Sequence, residues 1–356
     1  MTPTDRSGPA GGALRVDRVI PPGTTLSIRE LTELVSHAQA HGWDGLWTSE
    51  ARHDPFLPLM LAAEHSQQLT LGTSIAVAFA RSPMTIAHSA HDLQRLSGGR
   101  FILGLGSQVQ AHVVRRFCMP WDSPVSRMKD FIRAVRAIWE AWQTGERLNY
   151  RGEFYSHTLM TPFFSPGPLD VPPPPIHLAV VGPAMTRAAG EVADGVILHG
   201  FTTPRYIREV TLPALHEGMA SAGRAEAEVS ASVMAFICTG RDESEIAMAV
   251  QAVKEQIGFY GSTPAYRGVM DLHGWGEAAE QLSAMARRGG DAWSRLGEVV
   301  TDDMLREFAV VADLDSVGAA IRDRFTGLVD RVSFYTPYDL SDAVADRVAA
   351  DVRRTP

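Results

Sequence analysis

The sequence predicts an α/β fold in which eight parallel strands alternate with helices and close into a (β/α)8 TIM barrel. Short β-rich runs alternate with helical stretches of ten or more residues along the 356-residue chain, and this alternation favours parallel strands covered by helices. A doubly wound open sheet is the alternative. It calls for a glycine-rich G-x-G-x-x-G turn, and the sequence contains neither that turn nor a phosphate loop ending in GK[ST].

Each predicted barrel strand is a short β-rich run that a helical pattern follows. In chain order the strands are Leu14–Ile20, Gly45–Thr48, Leu69–Ala78, Phe101–Leu105, Ile176–Val181, Gly195–Leu198, Val229–Cys238 and Val329–Tyr335. The predicted helices are Leu31–His41, Leu57–Ser66, Pro83–Leu96, two segments ending near Trp142, one ending at Ala193, Arg205–Ala222, Ser244–Ile257 and Ser341–Val352.

Two regions exceed what a barrel of about 250 residues needs. Residues 149–175 contain a small strand pair and the run VPPPP; because proline neither continues a helix nor donates within a central strand, this region is predicted to be a loop insertion. Residues 258–315 are predicted to be mostly helical and irregular. Residues 1–12 are interpreted as a flexible leader and residues 13–356 as a single barrel domain.

Composition excludes several classes of function. The net charge is -8, from 33 basic and 41 acidic residues, and no basic run offsets it, so no nucleic-acid partner is expected. No apolar run approaches the ~20 residues of a membrane span. Cys118 and Cys238 form neither a disulfide framework nor a zinc motif. His88 and His91 have no third ligand nearby in sequence, so no metal site is predicted. We expect a cytoplasmic protein with a small-molecule substrate.

In a barrel, the site lies at the carboxyl ends of the strands. After the second strand, TSEARHDP offers Glu50 and His53 as candidate catalytic residues, since an imidazole can exchange a proton near neutral pH. Glu50 either orients His53 or pairs with Arg52. A solvated loop is the alternative for this segment.

Small or polar residues follow three other strands. After the fourth strand, the glycines of GLGSQ suggest close backbone approach, and Ser107 and Gln108 offer polar contacts. After the fifth, Val181, Gly182 and Pro183 lead straight into a helix, whose free N–H groups could hold a phosphate; an ordinary tight turn explains them equally well. His199 follows the sixth strand. Small residues end the third strand, where ordinary barrel packing is the simpler explanation.

Three segments, LGTSIAVAFARSP, HDLQRLSGGRFILGLGS and LAVVGPAMTRAAGEVADG, resemble the luciferase-like monooxygenase superfamily, and more closely its branch that uses the deazaflavin coenzyme F-420. The resemblance runs from about residue 13 to residue 340. It implies a luciferase-like (β/α)8 barrel, with a cis peptide bond between Ser74 and Ile75 behind the coenzyme ring. It also implies ring contacts from Ser107 and Gln108.

The resemblance further implies that the phosphate-bearing tail lies over Val181, Gly182 and Pro183. Three departures concern the sugar-phosphate dehydrogenases of this branch. Glu50 and Ala51 stand in place of an Asp-His pair, Val109 and Gln110 in place of an acidic residue, and Thr202 and Thr203 where a lysine grips the sugar phosphate. A sugar-phosphate substrate is therefore not expected. The apolar residues of the insertion, Leu159, Met160, Phe163 and Phe164, suggest a less polar substrate.

The first hypothesis is an F-420-dependent oxidoreductase that transfers a hydride between the deazaflavin and a small organic substrate, with Glu50 and His53 handling the accompanying proton. A flavin-dependent monooxygenase using FMN and oxygen is the second, and a non-catalytic F-420-binding protein is the third. Because F-420 carries a polyglutamate tail, a rim containing Arg81, Arg115 and Arg116 would favour it over FMN. The resemblance also implies a possible homodimer.

Overall fold

The computed structural model describes residues 13–21, 23–225 and 229–354, and its parallel strands close into a barrel. The predicted leader, residues 1–12, lies outside the described residues. The strands are β1 (Arg15–Val19), β2 (Gly45–Thr48), β3 (Thr70–Thr73), β4 (Ala76–Val77), β5 (Phe101–Gly106), β6 (Tyr150–Arg151), β7 (Ser156–His157), β8 (Ile176–Val180), β9 (Gly195–Leu198), β10 (Ser230–Cys238), β11 (Ala309–Val311) and β12 (Arg331–Tyr335).

The barrel follows the order β1-β2-β3-β5-β8-β9-β10-β12 and closes because β12 pairs with β1. These eight strands are the eight that the sequence predicts, so the fold class is confirmed. The helices are α1 (Ile28–Ala40), α2 (Leu57–His65), α3 (Pro83–Leu96), α4 (Gln110–Arg115), α5 (Pro124–Thr144), α6 (Pro183–Val192), α7 (Pro204–Tyr206), α8 (Leu212–Ser221), α9 (Glu243–Gly261), α10 (Arg267–Leu272), α11 (Gly276–Arg288), α12 (Asp302–Phe308), α13 (Val317–Phe325) and α14 (Asp342–Arg353).

Helix α1 shows how local sequence and packing combine. Ser27 and Glu30 form a reciprocal capping box that satisfies two backbone N–H groups at its start. Leu31, Val35 and Ala38 are buried and recur at the spacing of one helical face. The sequence thus sets both where the helix begins and which side packs on the barrel.

Three elements differ from the sequence prediction. The run Leu69–Ala78 is not one strand, because the chain breaks between β3 and β4 at a cis Ser74–Ile75 peptide bond. The helix predicted over Arg205–Ala222 contains a π-helical turn at Ile207–Thr211, next to Pro213, which lacks the N–H that a regular α-helix needs. Strand β11, which pairs in parallel with β10, lies in the region predicted to be mostly helical and irregular.

The amino-terminal half of the barrel interior is filled by large and charged side chains. The Arg331 guanidinium donates to both carboxylate oxygens of Asp17, from Nε at 2.7 Å and from Nη2 at 2.5 Å, and both residues are buried. Trp47 packs where a Cβ on Gly72 would collide with its ring. Burial lowers the pKa of His177 to about 4, so this imidazole is neutral. The barrel is therefore closed at this end and can receive a ligand only at the other.

The 149–175 insertion forms the predicted antiparallel strand pair, β6 and β7. The buried Asp130 on α5 accepts hydrogen bonds from the backbone N–H groups of Phe154 and Tyr155 at 2.7 and 3.0 Å. Met160 lies against Trp142 near the C-terminal end of α5, and this end lies toward the closed face of the barrel. That the apolar residues of the insertion favour a less polar substrate stays a prediction.

No helix within the described residues combines the length and the apolar character required to cross a bilayer.

Candidate active site

The carboxyl ends of β2 and β3 are tied together by Glu50. Its backbone N–H donates to the Ile75 carbonyl at 3.1 Å, and its Oε2 accepts from the Val77 N–H at 2.7 Å. The same oxygen accepts from Arg81 Nη1 at 2.5 Å. The ion pair expected with Arg52 is thus formed with Arg81 instead, because Arg81 follows β4 and reaches the inward-facing carboxylate.

His53 lies apart from Glu50, on the exposed side of the same loop. Its Nε2 is 3.0 Å from Thr25 Oγ1, so the hydrogen bond that fixes its ring comes from the β1–α1 loop. The alternative in which Glu50 orients His53 is not what the structure shows, since the Glu50 carboxylate is occupied by Val77 and Arg81. The two candidate catalytic residues are therefore neighbours in sequence without being hydrogen-bonded partners.

A cavity of about 420 Å³ opens beside His53, between the first turns of α1 and α2. Its wall is largely apolar, with Ile28, Leu31, Leu57 and Met60 among its residues. Ser49 also lines it, and the Ser49 hydroxyl is buried without a hydrogen-bond partner. The volume falls in the range of small-molecule sites.

Thr73 and Ile75, on either side of the break in the third barrel strand, lie directly beside the glycines of β5. A Cβ on Gly104 would stand 1.7 Å from the Thr73 carbonyl oxygen, and one on Gly106 would stand 2.9 Å from the Ile75 side chain. The Thr73 hydroxyl donates to the Gly104 carbonyl at 2.7 Å. The sequence predicts that Gly104 and Gly106 allow another group to come close to the β5 backbone. In the structure these groups are the Thr73 carbonyl and the Ile75 side chain.

Ser74, Ser107 and Gln108 are half-buried at the mouth. The Ser74 hydroxyl faces Met234 Sδ across the barrel at 3.8 Å. Ser107 Oγ donates to the Gln108 carbonyl at 3.0 Å. Gln108 has a φ of 62°, a conformation that is uncommon for residues other than glycine. These side chains therefore line the mouth beside β4 and β5.

The turn after β8 opens onto free space. Gly182 is the N-cap of α6, and a Cβ added there would meet no atom within 4 Å. Pro183 has no N–H, and the N–H groups of Ala184 and Met185 have no partner within the helix because they lie in its first turn. The Val181 carbonyl accepts from the Tyr206 hydroxyl at 3.3 Å. This turn can therefore accept an anion through backbone N–H groups.

His199 stands at the carboxyl end of β9 within a cluster of tyrosines. Its ring stacks on Tyr266 at 4.8 Å and meets Tyr260 edge-on at 4.5 Å. Burial lowers the pKa of His199 to about 4, so the imidazole is neutral. Nδ1 accepts from the Phe201 N–H at 3.0 Å, which leaves the ring proton on Nε2, 3.4 Å from the Tyr266 hydroxyl.

The sequence analysis did not identify these tyrosines. Tyr260 and Tyr335 share a hydrogen bond of 2.7 Å between their hydroxyls, and burial raises the pKa of both. Burial likewise raises the pKa of Tyr266 to about 12. All three stay protonated near neutral pH and serve as hydrogen-bond donors. The signal was the paired aromatic pattern GFYGSTPAY, which lies in the region interpreted only as irregular.

The structure brings some of the predicted site residues together and keeps His53 apart from them. Val181 and His199 line one small void of about 10 Å³ together with Tyr206, so the β8 turn and the tyrosine cluster are adjacent. His53 belongs to the separate cavity at α1 and α2. The Glu50 N–H, just after β2, donates to the Ile75 carbonyl. This hydrogen bond connects the loop that carries His53 to the mouth beside β4.

The arginines expected at the rim have different environments. Arg81 is held by Glu50 and by Asp54, the latter at 3.0 Å, so its charge is already balanced. Arg115 and Arg116 are exposed at the end of α4. Arg116 donates to the Ala51 carbonyl, which places it next to the His53 loop. Only Arg115 and Arg116 therefore suit an acidic tail.

The chain is similar to proteins of known family. A model of the luciferase-like monooxygenase family matches residues 11–331. An uncharacterized protein of Mycobacterium tuberculosis is 50% identical over 83% of this chain and 86% of its own length. An F-420-dependent glucose-6-phosphate dehydrogenase of Nakamurella multipartita is 32% identical over 55% of this chain and 59% of its own.

Among solved structures, the coenzyme F-420-dependent tetrahydromethanopterin reductase of Methanopyrus kandleri superposes with a TM-score of 0.76. It is 22% identical, and the match covers 96% of this chain and 98% of that chain. At this identity the likeness concerns the fold, and it agrees with the closed barrel described above.

Proposed function

This chain belongs to the luciferase-like monooxygenase family, and we propose that it is an F-420-dependent oxidoreductase that transfers a hydride between the deazaflavin and a small organic substrate. The observation that carries the proposal is the adjacency of an anion-accepting turn, Val181–Gly182–Pro183, to the neutral hydrogen-bonding wall of His199. A coenzyme that carries both a phosphate and a flat polar ring needs an anion-accepting turn at the same mouth as the surface for its ring. The relative that uses F-420 by name adds support.

The residues present fit such a coenzyme. The open space at Gly182 and the free N–H groups of α6 suit a phosphate without any basic side chain. We assign the ring to the surface formed by Ser74, Ile75, Ser107 and Gln108, following the family resemblance. When bound, the deazaflavin supplies two-electron hydride chemistry, and the protein supplies binding, orientation and electrostatics.

We place the substrate at the carboxyl end of β2, where Thr48 and Ser49 join the cavity beside His53 to the mouth that holds the coenzyme ring. His53 then gives or takes the proton that accompanies hydride transfer, since its ring reaches the cavity and is oriented by Thr25. Glu50 was predicted to share this task. Its carboxylate is committed to Val77 and Arg81, so we assign it the role of a positioning residue that holds the Ile75–Val77 backbone.

The substrate is not proposed to be a sugar phosphate. Thr202 and Thr203 stand where the resemblance places a phosphate-gripping lysine. Thr203 is buried, with its hydroxyl 2.8 Å from His273 Nε2, and it accepts from the Tyr206 N–H at 3.0 Å. It therefore has no hydrogen-bonding capacity directed toward the mouth, and the apolar cavity wall favours an uncharged substrate.

The proposal is tested by titrating the purified full chain with F-420 and, separately, with FMN, following the fluorescence of each ligand. Saturable quenching by F-420 alone is expected. Tighter binding of FMN would overturn the coenzyme assignment and favour the oxygen-using branch, and binding of neither would overturn the function.

Turnover is then measured over a panel of uncharged carbonyl, alcohol and unsaturated substrates with oxidised and reduced F-420. His53→Ala is expected to lower kcat at least about a hundredfold, the lower limit for a general acid or base, with F-420 affinity unchanged. His65→Ala, a change at an exposed histidine on α2, serves as the matched control. Equal turnover in the two variants would remove His53 from the mechanism. Binding without turnover of any substrate would favour a coenzyme-binding protein.

A further inference from the structure

A cluster of two histidines and an aspartate lies outside the barrel, where the last turn of α1 packs against α14. His37 and His41 are one helical turn apart on α1, and Asp346 projects from α14. One nitrogen of each ring and one carboxylate oxygen all lie within 4.8 Å of one another. His37 Nε2 is 2.7 Å from Asp346 Oδ2, and His41 Nε2 is 3.7 Å from the same oxygen.

Hydrogen bonds hold each member of the cluster: His37 Nε2 is bonded to Asp346 Oδ2 at 2.7 Å, and His41 and Asp346 each have a further partner. His41 Nδ1 is 2.9 Å from the His37 carbonyl; a carbonyl only accepts, so Nδ1 carries the proton and Nε2 presents a lone pair. The Trp43 indole N–H donates to Asp346 Oδ1 at 2.8 Å, which leaves Oδ2 for the histidines. A backbone carbonyl behind an imidazole and a donor behind a carboxylate are the contacts that orient metal ligands in proteins.

The arrangement of His41 calls for a positive charge between the rings and the carboxylate. Two acceptors, His41 Nε2 and Asp346 Oδ2, face each other at 3.7 Å, and the two imidazole rings stack at 4.0 Å. A proton on His41 would bridge one pair of atoms only. A metal ion bound to all three would replace the His37–Asp346 hydrogen bond and require the two stacked rings to turn toward it, since His and Asp bind Zn²⁺ at about 2.0–2.2 Å in a tetrahedral site of three protein ligands and a water.

We propose that His37, His41 and Asp346 form a site for a divalent transition-metal ion of the zinc class, which clamps α1 to α14. The fourth position faces solvent, since the side chains of His37 and His41 are 30% and 46% exposed whereas that of Asp346 is only 12% exposed. The site lies where α1 leads into β2, away from the mouth. It joins the first helix of the barrel to the last and is separate from the proposed chemistry.

Two arginines lie near the site, and one of them is paired with a carboxylate. Arg18 pairs with Asp342 at 2.5 Å, and Arg353 donates to the His41 carbonyl at 3.0 Å. No sequence pattern indicates this site, because His37 on α1 and Asp346 on α14 are separated by 309 residues in the chain.

The test uses untagged protein stripped with a chelator and titrated calorimetrically with Zn²⁺. One tight equivalent per chain is expected, together with a Zn²⁺-dependent rise in the thermal unfolding midpoint. His37→Ala, His41→Ala and Asp346→Asn should each weaken binding at least about tenfold, since even residues behind a ligand are worth ten- to a hundredfold. His65→Ala is the control for loss of an exposed histidine, and it should bind as the parent does.

Absence of a saturable Zn²⁺ site would overturn the proposal, and so would equal affinity in the parent, His37→Ala and His41→Ala proteins, because the ion would then bind elsewhere. His37 and His41 are partly exposed, so these variants should fold, and circular dichroism checks this. The F-420 titration is repeated on His41→Ala. Its result is expected to match the parent, which keeps the metal proposal separate from the proposed function.

Discussion

Replacement of Glu50 separates the two roles that this residue could have. If it positions the chain, Glu50→Ala breaks an ion pair with Arg81 and leaves the Val77 N–H without its acceptor. Glu50→Gln keeps an acceptor oxygen for Val77 and removes only the charge. A positioning role therefore predicts two effects of different size on stability, whereas a proton-transfer role predicts equal loss of turnover in both.

The magnitude follows from burial. The side chain of Glu50 is 7% exposed and that of Arg81 is 17% exposed. Breaking such a pair from one side costs about 3 kcal/mol, the lower end of the range for buried pairs, because Arg81 keeps Asp54 as a partner. Glu50→Gln loses only the charge assistance of its hydrogen bonds, about 1 kcal/mol. We expect weaker F-420 binding in the same order, since the Ile75–Val77 backbone loses its anchor.

The assay is urea unfolding followed by circular dichroism, together with the F-420 titration. Glu209→Gln is the matched control, since Glu209 forms an exposed i,i+4 ion pair with Arg205, and it should change the free energy of unfolding by less than about 0.5 kcal/mol. The reasoning fails if Glu50→Ala destabilises no more than this control. A loss of turnover that is equal in both Glu50 variants, with affinity and stability unchanged, would restore the catalytic role.

Three further predictions concern the barrel interior and the β8 turn. Burial holds the pKa of His177 near 4, below the ordinary 6.5. Between these two pH values the unfolded chain binds more protons than the folded one, so the free energy of unfolding measured in urea should fall by about 2 kcal/mol from pH 7 to pH 5. In His177→Gln this part of the decrease should be absent. Gly104→Ala places a Cβ 1.7 Å from the Thr73 oxygen and should cost about 3 kcal/mol in urea unfolding, whereas Gly182→Ala should cost less than about 0.5. Gly182→Asp should keep α6 stable but weaken F-420 binding about tenfold by like-charge repulsion, and Thr301→Asp, at the N-cap of α12, should not.

The barrel strands could be predicted because each is a short β-rich run that a helical pattern follows. Strand β11 could not, because its three residues, Ala309–Val311, form a strand only where β10 extends past the barrel to pair with them. The break after Thr73 was equally invisible to propensity. Its cause is tertiary, since Gly104 and Gly106 make the space that the displaced chain fills.

In the candidate site, too, the residues that directly follow strands could be predicted, whereas contacts between distant parts of the chain could not. His53 and the Val181–Gly182–Pro183 turn were found because they directly follow strands. The partner of Glu50 was predicted wrongly, since Arg52 is near in sequence whereas Arg81 is near in space. Tyr260 comes from the end of α9, and it reaches the mouth through packing between helices and the barrel that no local pattern encodes.

Charge at the mouth and its neighbouring cavity explains what kind of substrate the site should accept. Glu50 and Asp54 share Arg81, so two of the titratable side chains after β2 are already occupied. His199 is kept neutral by burial, and Tyr260 and Tyr335 offer hydrogen bonds without charge. A charged substrate would lose hydration against the largely apolar wall of the cavity, which is costly. An uncharged substrate loses less hydration, and polar side chains of the cavity wall, among them Thr25 and His53, can orient it.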